Sequence, residues 1–155
     1  MTAAAVKADE ECVAGSHLQN HHDLTSKPMF KPGEQGSLLY KHLTQQVWDQ
    51  LCDARDPHGF SFKEAIFSGC KNTDSGIGVY AGSAESYESF AALFNPIIQE
   101  YHKYDLSRGH MSDMDHTKLQ CPPFPPEDAA MIRSTRIRVG RNLAEFPLGP
   151  AITRE

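Results

Sequence analysis

At 155 residues with a net charge of −5, the chain has room for one domain, or for one small domain and part of another. The acidic balance argues against a nucleic-acid partner, no apolar run approaches the length of a membrane span, and the leading MTAAAVKADEEC is too short and acidic for a targeting signal, so a cytoplasmic setting is expected. Cys12, Cys52, Cys70 and Cys121 form no CxxC pair and read as reduced structural thiols; His17, His21 and His22 lack the companions of a zinc site, so no metal is expected.

In chain order, residues 1–35 read as a flexible leader rich in Gly, Ser, His and Pro, with few periodic apolar positions. KPGEQGS (31–37) punctuates the change, and Ser37 stands where an N-cap belongs. In SLLYKHLTQQVWDQL, Leu38, Leu39, Leu43, Val47, Trp48 and Leu51 recur at helical spacing, which predicts one helix over 37–51. DPHG (56–59) carries turn chemistry, and SFKEAIFSG predicts a second, short helix closed by Gly69. A longer helix is expected from SAESYESFAALFNPIIQEYH, capped by Ser83 and kinked or restarted at Asn95-Pro96. Its aromatic stripe reads as core. Residues 104–128 turn polar and proline-rich and read as an extended connection.

Two stretches carry candidate chemistry. NTDSGIGVYAG (72–82) is neither a Walker loop nor a dinucleotide-binding fingerprint, since no GK[ST] follows and a third glycine is missing. Gly76 and Gly78 allow close approach to bare N–H groups, so the loop reads either as a nest for a small anion such as a carboxylate, with Tyr80 beside it, or as a structural turn.

The second stretch is MIRSTRIRVG (131–140). Read as a strand, it puts Ser134, Arg136 and Arg138 on one face and Thr135, Ile137 and Val139 on the other. Alternate positions lie about 6.6 Å apart, a span that suits neighbouring phosphates, and arginine's planar fork grips phosphate oxygens in pairs. A solvated edge strand whose charges discourage aggregation has the same pattern. Such a strand needs partners, and little upstream beyond IGVYAG is strand-like.

SLLYKHLT, NTDSGIGVYAGSAESYESF, LFNPIIQEYH and STRIRVGRNL, in this order, resemble the N-terminal portion of the phosphagen (guanidino) kinases, and among them the arginine kinases more than the creatine kinases. The resemblance runs from about Ser37 to Pro150. It implies a small all-α N-terminal domain of the phosphagen kinase type, followed by a linker and the first strand of a truncated α+β catalytic domain. The expected divisions are a leader at 1–35, the helical domain at 36–103, the linker at 104–128 and the start of the catalytic domain at 129–155.

The activity implied is reversible transfer of the γ-phosphoryl of Mg-ATP to the guanidino group of L-arginine. The resemblance assigns Ser75, Gly76, Ile77, Gly78 and Tyr80 to the substrate carboxylate and Asp74 to closure over bound substrate. It assigns Ser134, Arg136 and Arg138 to the nucleotide phosphates. The family's catalytic carboxylates, reactive cysteine and remaining phosphate-binding arginines match no position here, so no catalytic residue is assigned and little turnover is expected of this chain alone. The leader is longer and richer in histidine than the family leads one to expect. Two other readings stand beside this one: a non-catalytic module that associates with full-length kinase subunits, and a kinase for another guanidine such as taurocyamine or lombricine.

Overall fold

The computed structural model describes residues 14–109, 111–120 and 122–153. Among these residues the regular structure is helical and no strand forms; one isolated bridge pairs Arg55 with Ser61. The folded unit is built from α1 (Leu38–His42), α2 (Gln45–Leu51), α3 (Phe62–Lys71), α4 (Ser86–Ser89) and α5 (Ala91–His102). A further helix, α6 (Pro126–Met131), buries none of its residues. Cys52 is half-buried and Cys70 is buried, while Cys12 and Cys121 lie outside the described residues.

The helix expected over 37–51 is two helices, because the sequence supplies two caps. Ser37 Oγ accepts the Tyr40 N–H at 3.0 Å, and Thr44 Oγ1 accepts the Val47 N–H at 3.2 Å. Leu43, between them, has a ψ of 75°, outside the helical range. The break lets Leu39 and Leu43 on one side, and Trp48 and Leu51 on the other, reach the same core.

α3 opens with a capping box in which Ser61 Oγ accepts the Glu64 N–H and Glu64 Oε2 accepts the Ser61 N–H. It runs past Gly69 to Lys71 rather than closing at the glycine. The long third helix is divided as well, at Phe90 instead of at Asn95-Pro96. α5 continues through Pro96, and Phe90 is the fully buried pivot, edge-on to Phe62 at 5.6 Å and to Phe94 at 6.0 Å. Ser83 accepts the Ser86 N–H as a cap would, at 3.2 Å, although regular helix begins only at Ser86.

The described part of the expected leader is not loose. Ala14, Leu18, Leu24 and Pro28 are buried against the helical unit, and the Gly15 N–H donates to the Cys70 carbonyl at 2.8 Å. A 3₁₀ turn, His21–Asp23, is closed by its own capping box from Asn20 and Asp23. Four apolar residues spaced irregularly give no periodic signal, yet tertiary burial of each is worth roughly 1–3 kcal/mol and suffices to hold the segment down.

Asp56 joins two turns inside the protein. Its carboxylate accepts the N–H groups of His58 (2.9 Å) and Phe60 (3.0 Å) and the hydroxyls of Ser83 and Ser86 (both 2.7 Å). Burial by itself would push this carboxyl up, but the hydrogen bonds from Ser83, Ser86, Phe60 and His58 outweigh it and hold it below the ordinary Asp range.

The strand expected in residues 131–140 does not form. Met131 ends α6, residues 132–142 have no regular structure, and Ile137 and Val139, the face meant for a core, are 87% and 84% exposed. No strand among the described residues offers an edge to pair with, so the backbone of this segment has nothing to complete a ladder. Among its described residues the connection at 104–128 is irregular apart from 3₁₀ turns at Leu106–Arg108 and His116–Lys118 and the start of α6.

Candidate functional site

The loop at 72–82 is held by the ends and flank of two helices. The first N–H groups of α1 have no partner within their own helix, and the loop supplies one for two of them. Leu38 N–H donates to the Gly76 carbonyl at 3.0 Å, and Leu39 N–H donates to the Ile77 carbonyl at 2.9 Å. The Tyr80 N–H donates to the Ala65 carbonyl of α3 at 2.9 Å, which pins the other end.

Between these anchors the loop lies against α3 with no side chain intervening. A Cβ on Gly69 would sit 2.1 Å from the Gly78 carbonyl oxygen, and one on Gly78 would sit 2.9 Å from Leu39 Cβ. Gly78 also has a φ of +86°, a conformation that L side chains rarely adopt. The glycine inside α3 is therefore a contact with the loop and not a helix stop.

The carbonyl anchoring fixes where the amides point. No peptide bond among the described residues is cis, and a trans peptide directs its C=O and N–H to opposite sides. With the Gly76 and Ile77 carbonyls aimed into α1, the N–H groups of Ile77 and Gly78 face away from it. Those two amides donate to nothing among the described residues. Ser75 donates its own N–H to the Asn72 carbonyl, and Asp74 is exposed at the outer end of the loop. Tyr80 is 45% exposed and its hydroxyl has no hydrogen-bond partner among the described residues. The loop thus holds two unpaired amide donors, on half-buried Ile77 and on buried Gly78, beside the exposed Tyr80.

Tyr80 opens on a cleft of about 490 Å³ that is also lined by His21, Glu64, Phe67, Ser68 and Pro150. His21 reaches it from the stretch expected to be a leader, and Pro150 from a C-terminal segment anchored by the Leu148 N–H on the Gly82 carbonyl at 2.8 Å. Neither contribution has a local sequence signal, because each depends on a chain segment folding back over the helices.

Ser134, Arg136 and Arg138 are exposed and make no hydrogen bond or ion pair among the described residues. Asp74, Ser75, Gly76, Ile77, Gly78 and Tyr80 lie on one loop, and no hydrogen bond joins that loop to the arginine segment among the described residues.

Residues 33–99 match the family model of the ATP:guanido phosphotransferase, N-terminal domain. The chain is 45% identical over 127 residues to an arginine kinase of Anthopleura japonica, an alignment covering 81% of this chain and 18% of that protein. It is 40% identical over 117 residues to an arginine kinase of Callinectes sapidus, covering 76% of this chain and 33% of that protein. With an arginine kinase of Liolophura japonica it shares 40% identity over 120 residues, covering 77% and 34%. The chain therefore spans about a third or less of the length of these relatives. These matches all fall in the N-terminal portion of phosphagen (guanidino) kinases, to which residues 33–99 and their flanks are similar.

Proposed function

We propose that the chain provides the guanidino-substrate half of an arginine kinase-like phosphotransferase, which transfers the γ-phosphoryl of Mg-ATP reversibly to L-arginine. The observation that carries this reading is the loop's set of unsatisfied donors: the N–H groups of Ile77 and Gly78, turned away from α1, with the free Tyr80 hydroxyl beside them. Donors fixed in advance by a rigid scaffold bind a carboxylate without reorganising, which is how a site positions a substrate for transfer. On this reading Ser75, Gly76, Ile77, Gly78 and Tyr80 receive the carboxylate end of arginine, and Asp74 stabilises closure from the loop's exposed end.

Ser134, Arg136 and Arg138 are assigned to the phosphates of ATP, whose charge Mg²⁺ and guanidinium groups neutralise together. An extended conformation of this segment, acquired when it pairs with a sheet, would place the two guanidiniums on one side.

The test is calorimetric titration of L-arginine into the 155-residue chain and its Tyr80→Phe variant. Loss of one hydrogen bond to a carboxylate is expected to weaken binding about tenfold. Equal affinities would remove Tyr80 from the site.

A second reading is favoured by one observation, the exposure of Met131, Ile137, Val139, Leu143 and Phe146 along a single segment. It makes the chain a module that associates with full-length kinase subunits. Sedimentation with such a subunit separates the two: association without arginine or nucleotide binding supports the module.

A further inference from the structure

We infer that residues 148–151 are a clasp that fastens the arginine segment to the glycine loop, with Leu148 as a positioning residue that keeps Arg136 and Arg138 within reach of the loop. The inference rests on the nucleotide reading of those arginines and adds the element that brings them to the substrate side. Every described residue from Lys103 to Pro147 is exposed except Leu106, so this stretch is largely unpacked. Contact with the core resumes at Leu148 and Ala151, both half-buried against it. The Leu148 N–H donates to the Gly82 carbonyl at 2.8 Å, and a 3₁₀ turn at Gly149–Ala151 follows, with the Ala151 N–H on the Leu148 carbonyl at 2.9 Å.

The receiving side is built for this contact. Gly82 ends the glycine loop; its N–H donates to Ser86 Oγ at 3.1 Å, and that hydroxyl donates to the Asp56 carboxylate at 2.7 Å. A Cβ on Gly82 would stand 2.3 Å from Phe60 Cγ, so the bare backbone lies directly on that ring. The same carboxylate takes the Phe60 N–H at 3.0 Å, which locks the ring's own turn to the turn at 82–86. The acceptor that Leu148 meets is thus fixed in advance, and only the clasp has to be ordered. Pro150 also lines the cleft beside Tyr80, so the clasp meets the loop region at two places.

Chain length gives the clasp its effect. Arg138 stands about ten residues before Leu148, a stretch that spans at most about 35 Å when fully extended. With the clasp open, the next attachment of Arg138 is the end of α5, about 35 residues away. Effective concentration falls as the −3/2 power of tether length, so docking raises the encounter of the arginines with the loop about sixfold.

The experiment uses Mn-ATP as a paramagnetic probe, with Mg-ATP as the diamagnetic reference, in amide-resolved NMR spectra of the 155-residue chain. Leu148→Pro removes the donated N–H, and the residue's φ of −74° already suits the proline ring. Leu148→Ala keeps the N–H and removes only the packing. In the native chain Mn-ATP is expected to broaden the amides of Arg136 and Arg138 and, more weakly, those of residues 76–82. Leu148→Pro is expected to retain the broadening at the arginines and to lose about sixfold at the loop, with Leu148→Ala between. The α3 and α5 amides report that each variant is folded. A double variant, Arg136→Gln with Arg138→Gln, is expected to lose both effects. Equal loop broadening in the native chain and Leu148→Pro overturns the clasp and leaves the nucleotide reading standing, as does loop broadening that survives the double variant while the arginine amides respond in the native chain. Absence of broadening at Arg136 and Arg138 in the native chain overturns both.

Discussion

Replacing Gly69 by alanine separates a loop contact from an ordinary helix position. In a helix interior Ala is favoured over Gly by about 1 kcal/mol, so a glycine with no tertiary role would be stabilised by the change. Here the new Cβ would stand 2.1 Å from the Gly78 carbonyl oxygen and 2.5 Å from its Cα, backbone atoms that cannot turn aside as a side chain can. The loop must move off α3. In doing so it strains or breaks the hydrogen bonds from Leu38, Leu39 and Tyr80, three bonds of about 1 kcal/mol each. Subtracting the helical gain leaves a loss of about 2 kcal/mol, or roughly 10 °C in Tm for a unit of this size. Thermal unfolding followed by circular dichroism measures it, with Gly36→Ala as control, since a Cβ there meets nothing within 4 Å. A Gly69→Ala protein as stable as the native chain, or more so, would refute the idea that α3 holds the loop by direct backbone contact. The same variant is expected to lose arginine binding in step with the loop's displacement.

Asp56→Ala removes the acceptor of four hydrogen bonds and strands the Ser83 and Ser86 hydroxyls, for an expected loss of about 3 kcal/mol by urea denaturation. Because the folded pKa of Asp56 is depressed, its contribution is present above about pH 4, the ordinary Asp value, and is lost as pH falls further through the folded value. The native chain should therefore lose stability below pH 4 more steeply than the Asp56→Ala variant; parallel profiles would count against a buried charge. Glu100 receives Lys41 Nζ at 2.6 Å and His42 Nε2 at 2.8 Å, tying α5 to α1 at the surface. Glu100→Ala is expected to lower Tm slightly in low salt, with the difference fading in 1 M NaCl, where the screening length is about 3 Å.

The cap at Ser37 was legible along the chain because capping is local: the groups involved lie within one turn of each other. The Ser61/Glu64 box and the Thr44 cap are just as local but were not part of the sequence reading, and the start of α5 after Phe90 has no side-chain cap to read. The apolar faces of α1, α2 and α5 followed from spacing for the same reason. The glycine loop was legible as a run of turn formers, and the structure adds what a pattern of residue types lacks, the direction of its carbonyls and hence of its amides.

Where helices stop was less legible, because stopping depended on distant partners. Phe90 interrupts the third helix to sit between Phe62 and Phe94, while Pro96, the stronger local signal, is accommodated within α5. Gly69 shows the same limit: its sequence context suggests a helix end, and its reason lies across space in Gly78. The arginine segment shows the converse, since alternation describes a strand but only a neighbouring edge can make one.

Local hydrogen bonding and apolar spacing thus determined, from the sequence by itself, that a small helical unit would carry a glycine-rich turn. Tertiary structure alone decided that Ala14, Leu18 and Leu24 would fold back onto that unit and bring His21 beside Tyr80 and Glu64. Burial of scattered apolar residues drives that return, and it is a property of the surface they meet rather than of the order in which they occur.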